Sequence, residues 1–126
     1  MLELTIKEKV YQFNFGMGFM REINRLVGRP VDGLPDVKKN IGLQYKLAGI
    51  LDGDVEDLVD VLFAANKGQN PRVTKELLDA HIDNESTDID NLFDEVLADL
   101  KCANATKKTV KSLLDALEAE QKKQAQ

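Results

Sequence analysis

The apolar residues of this chain change period once, and that change restricts the folds open to it. From Leu2 to Phe15 they alternate: Leu2, Leu4 and Ile6 are interleaved with Glu3, Thr5 and Lys7, and Val10, Tyr11, Phe13 and Phe15 follow. Alternation rich in aromatic and β-branched residues, broken by the polar Lys7-Glu8-Lys9, predicts a hairpin with one buried face. No Asn-Gly or Asp-Gly marks its turn, so the register stays open. Two strands alone are marginal in water, so the hairpin must lie on helices or pair with strands of another copy.

Past Gly16 and Gly18 the period becomes helical. Phe19, Met20, Ile23, Leu26 and Val27 share one stripe, with Arg21, Glu22, Asn24 and Arg25 opposite, and Gly28 closes that helix. Arg29 to Pro35 is the most loop-like segment, too short to separate two domains. From Val37 to Leu51 apolar residues cover more than half the circumference, which predicts a helix buried between other elements. Asp52-Gly53 ends it, and Asp54 caps a helix carrying Val55, Leu58, Val59, Leu62 and Phe63, closed by Lys67-Gly68. Asn70-Pro71 reads as a turn. Thr74 caps a short helix with Leu77, Leu78 and Ile82, and Thr87 or Asp88 caps the next. There Ile89, Leu92, Phe93, Val96, Leu97 and Leu100 form the cleanest stripe. A last helix carries Val110, Leu113, Leu114 and Leu117. The expected architecture is α+β, mainly α: an N-terminal β-hairpin followed by about six helices in a single compact domain. That domain spans residues 1–118, and residues 119–126, lacking an apolar stripe, read as a polar tail that frays. A chain of 126 residues suits one domain of this kind.

Chemistry-bearing residues are sparse. His81 is the one histidine, Ser86 and Ser112 are the serines, and none is spaced as a nucleophile beside its base. Cys102, the one cysteine, excludes an internal disulfide and reads as a small side chain at the edge of the core. Asp52, Asp54, Glu56 and Asp57 superficially suggest calcium. A loop counted from Asp52 puts Asp57 where glycine is required and Phe63 where a bidentate glutamate is required. Gly16-Met17-Gly18 lacks the remainder of a nucleotide-binding loop. The reading is therefore no enzyme, no catalytic residue, no cofactor and no metal. No apolar run approaches the roughly 20 residues of a membrane span, and Met1 to Thr5 lacks the basic start of a secretion signal.

The net charge is −5, unevenly spread: residues 1–50 carry eight basic and five acidic groups, residues 51–126 nine and 17. A patch near Arg21, Arg25, Arg29, Lys38 and Lys39 reads as a solvated face, since the overall sign is wrong for phosphate binding. The acidic second half suits a partner with basic stripes.

Several segments taken in order carry a likeness: Tyr11-Gln-Phe-Asn-Phe-Gly16, Phe19-Met-Arg-Glu-Ile-Asn24, Asn40-Ile-Gly-Leu-Gln-Tyr45, Gly53 through Leu62, Pro71-Arg-Val-Thr74 and Asp88 through Leu97. Across residues 1 to 118 the chain resembles the small tail assembly chaperones of long-tailed phages and prophages of Gram-positive bacteria, in their short form. The resemblance implies a non-enzymatic protein that binds the tape measure protein, keeps it soluble and helps tail tube protein gather around it. It implies action in the host bacterial cytoplasm and absence from the mature virion. A homo-oligomer, or association with a longer form made by frameshifting near Lys122-Lys123, belongs to the same expectation. A helical client exposes apolar stripes, and the positions named here to cover them are Tyr45, Leu62 and Phe63; plain core packing is the competing reading of all three. The alternative function is a helix-turn-helix or winged-helix nucleic-acid binder using the Arg21–Arg29 patch, with the hairpin as wing. No helix concentrates basic and amide readers on one face, so the expectation is no nucleic acid and no membrane partner.

Overall fold

Lys7 and Glu8 make the hairpin turn without glycine. Both hold left-handed backbone, at φ 50° and 70°, the geometry of a two-residue primed turn that matches the twist of its strands. The register follows: Leu2 pairs with Phe13, Leu4 with Tyr11 and Ile6 with Lys9, antiparallel. Leu2, Ile6, Tyr11 and Phe13 are thereby buried on one face, while Gln12 donates to Glu3 across the other at 3.3 Å.

The computed structural model describes residues 2–27 and 41–124. Strands β1 (Leu2–Ile6) and β2 (Lys9–Phe13) are followed by α1 (Met17–Val27), α2 (Ile41–Leu51), α3 (Val55–Ala65), α4 (Lys75–Asp83), α5 (Ile89–Cys102) and α6 (Lys107–Gln124). Among the described residues this is the expected hairpin and six helices, an α+β architecture that is mainly α. The Gly28 terminator, the Arg29–Pro35 loop, the start at Val37 and the pair Lys38-Lys39 lie outside the described residues.

The hairpin lies on helices. Asn14 N–H donates to the Ala65 carbonyl at 2.9 Å, and the buried Asn66 donates from Nδ2 to the Gln12 carbonyl at 2.8 Å. Asn66 Oδ1 also accepts from Val73 N–H at 2.6 Å and from Arg72 Nη1 at 3.0 Å. One buried amide thus ties the end of α3 to β2 and to the segment entering α4, with its polar atoms satisfied as burial requires. Helix α1 crosses α2 closely. A Cβ on Gly42 would stand 2.4 Å from the Ile23 carbonyl oxygen, so only glycine lets the backbones meet there. Phe15 and Phe19 close the hairpin side of this layer edge to face, with ring centroids 5.1 Å apart.

The caps lie where short-range chemistry puts them. Asp54, Thr74 and Asp88 each accept from the N–H three residues on, at 3.1 Å. Of the two cap candidates before α5, Asp88 is the cap, while Thr87 donates to the His81 carbonyl at 2.7 Å. Gly53 and Gly68 hold positive φ just past α2 and α3. Buried Thr106 donates to the Leu100 carbonyl at 2.6 Å, satisfying an acceptor freed at the end of α5.

Three expectations are corrected. Of the segment read as a fraying tail, residues 119–124 are helical: α6 continues to Gln124, supported by good helix formers and by Lys111–Asp115 and Glu118–Lys122 pairs one turn apart. Cys102 is exposed, because the buried line of α5 runs through Leu92, Val96 and Leu100 and leaves its last residue outside. Helix α2 buries Leu43, Leu47 and Ile50 but turns Tyr45 outward, 67% exposed, so its apolar girth is not wholly enclosed.

Candidate partner interface

The most distinctive surface surrounds Val55. It is the first residue of α3 after the Asp54 cap, and side chains there lean back toward the helix start, away from the core. Val55 is 43% exposed and borders two clefts. One, of about 480 Å³, has an apolar floor of Leu51, Val55, Ile89, Phe93 and Leu97, with Asp90 and Asp94 at its rim. The other, of about 440 Å³, lies between α3 and α4; Val59 and Ile82 lie beneath Glu56, Asp60, Asp79 and Asp83, with Lys75 alone of opposite sign.

Part of this acidity is neutralised within the fold. Lys46 Nζ lies 2.9 Å from both Asp57 and Asp60, and Lys75 lies 3.0 Å from Asp60. Burial works against the Lys46 charge, yet its bonds to Asp60 and Asp57 outweigh burial and hold its pKa above the ordinary lysine value. Burial likewise opposes ionisation of Asp60, and Lys46 and Lys75 override it, leaving that pKa below the usual carboxylate value. Gly49 makes room for the cluster, since a Cβ there would sit 1.7 Å from the Asp57 carboxylate. Among the described residues no ion pair reaches Glu56, Asp79, Asp83, Asp90 or Asp94. Asp90 and Asp94 at the first cleft and Glu56, Asp79 and Asp83 at the second thus leave acidic charge beside apolar residues at both.

The three positions named from sequence are not brought together. Leu62 is wholly buried in the core. Phe63 is half-buried beneath the Arg72 guanidinium, 4.2 Å from the ring centroid, and Arg72 also donates to the Phe63 carbonyl at 2.9 Å. Tyr45 stands in solvent on α2. In the sequence Val55, Phe93 and Leu97 read as ordinary stripe members. The signal lies in the acidic neighbours of two of them, Asp54 and Glu56 beside Val55 and Asp94 beside Phe93.

Buried Glu22 is bonded by Arg25 and Lys67, which takes Arg25 out of the basic patch read from the sequence. His81 is half-buried, and burial lowers its pKa. Ser86 Oγ–H donates to Asn84 Oδ1 at 2.6 Å. Among the described residues no three of His, Cys, Asp and Glu are grouped to hold a metal ion, and no helix is long and apolar enough to cross a membrane.

No curated protein and no solved structure matches the chain. The family described as phage tail assembly chaperone protein, TAC, matches residues 3–114, from the hairpin into the first half of α6. By a match of that extent, this chain belongs to the phage tail assembly chaperone family.

Proposed function

We propose that this chaperone acts without catalysis, binding the tape measure protein in the host cytoplasm, keeping it soluble and promoting assembly of tail tube protein around it. On this reading it leaves before the virion matures. Residues 1–118 form the working domain, and the exposed end of α6 extends from it. The observation that supports the reading is the acid-rimmed apolar face around Val55. A long helical client has apolar stripes that aggregate until covered, and a stripe bordered by Lys or Arg fits this face as a helix fits a groove.

Co-expression with the tape measure protein tests it. The chain should move the client from the insoluble to the soluble fraction. The variants V55K and D90K/D94K should keep the far-ultraviolet circular dichroism of the parent and lose that effect, because they change only exposed groups. Y45A in the same assay reads whether the solvent-facing ring adds a contact. A client whose solubility is indifferent to the parent chain ends the proposal.

A further inference from the structure

A second charged surface lies at the corner between α5 and α6. Lys101, Lys107, Lys108 and Lys111 surround an apolar floor of Val110 and Leu114 in a cleft of about 440 Å³. Three of these lysines fall in the first turns of α6, where the helix dipole is already positive, so their placement opposes local stability. Among the described residues only Lys111 of the four has an ion-pair partner, Asp115.

Helix α5 connects this corner to acidic groups. Asp90, Asp94, Leu97 and Lys101 fall at i, i+4, i+7 and i+11, one stripe of the helix. The stripe is acidic at its start, apolar at Leu97 and basic at its end, so it is complementary to itself when reversed. Asp94 and Lys101 are two turns apart, about 10.5 Å at the helical rise. Two such helices laid antiparallel about a point beside Leu97 put each Asp94 opposite a Lys101, and bring each Asp90 toward the opposing Lys107 and Lys108.

We propose that two copies of this chain pair through α5 in this antiparallel way, with Asp94 of each against Lys101 of the partner subunit and Leu97 near the two-fold axis. A symmetric pair closes on itself and uses one patch twice. The second copy supplies carboxylates for the lysine corner and apolar surface for its floor. A nucleic acid would supply only the charge, to a protein whose net charge is −5. Asp90, Asp94 and Leu97 also belong to the face proposed for the client, so a second copy and a client compete for it; the pairing does not rest on the client reading, and its test contains no client.

Sedimentation equilibrium on the full chain at low and high salt measures the pairing. A dimer whose dissociation constant rises with salt is expected. D94K and K101D should each raise that constant by roughly tenfold or more, since like charges then face each other. The double variant D94K/K101D restores opposite charges across the axis and should return within about threefold of the parent. Both side chains are exposed, so the far-ultraviolet circular dichroism of all three variants should overlay the parent, while D94K and K101D melt lower than the parent at concentrations where it pairs. A monomer at every concentration, a dimer insensitive to D94K, or a double variant no better than the singles overturns the pairing. Salt-sensitive binding of duplex DNA without self-association also overturns it, by assigning the lysines to a polyanion.

Discussion

Lys7 and Glu8 occupy backbone that L side chains adopt reluctantly, because Cβ crowds the neighbouring carbonyl. Nothing in the residue types announced this turn, since asparagine and glycine are absent; the flanking pairs Leu4–Tyr11 and Ile6–Lys9 hold it in place. The double substitution K7N/E8G should therefore raise stability by about 1 kcal/mol without altering the strands, read as a higher urea midpoint at unchanged m-value. Glu22 is the opposite case, a charge held where burial alone would not keep one. Hydrogen bonding from Arg25 lowers its pKa; burial works the other way, and Lys67 adds to Arg25, leaving the carboxyl at about 2 against an ordinary 4.5. A lowered folded-state pKa contributes stability above pH 4.5, which is lost as pH falls from there toward 2. E22Q should cost on the order of 2 kcal/mol at neutral pH, and its stability curve should converge with the parent's across that acid window. The arrangement was hidden in the sequence because Lys67 is 45 positions away.

At the scale of elements, caps and stripes were legible because their chemistry is local. Asp54 and Thr74 bond groups three residues on, and the α5 core residues repeat each turn. The end of helix α6 has no stripe for a related reason: past Leu114 it is exposed on every side, and its support there comes from propensity and Lys–Glu spacing. Helix contacts were not legible, and two glycines show why. Gly18 in α1 has nothing within 4 Å of a Cβ position, whereas Gly42 in α2 meets the Ile23 carbonyl. G18A should stabilise by about 0.5 kcal/mol through helix propensity alone. G42A should destabilise by roughly 1–3 kcal/mol by forcing α1 and α2 apart. Paired thermal melts check the opposite signs.

Over the whole molecule, charge separates into surfaces that no single segment reveals. The acidic surplus after residue 51 was countable, but its concentration around Val55 arises only when the end of α2, the start of α3 and the shoulder of α5 meet at one cleft. Tyr45, Leu62 and Phe63 share an apolar character that the fold then distributes among solvent, core and a cationic cover. The Asn66 tie has a consequence for synthesis. Its bond to the Gln12 carbonyl spans 54 positions. At translation speeds of roughly 5–20 residues per second, Gln12 waits roughly 3–10 s for the amide that secures it. The hairpin thus leaves the ribosome well before the amide that secures it and is among the later parts to settle, with Tyr11, Phe13 and Phe15 uncovered in that interval.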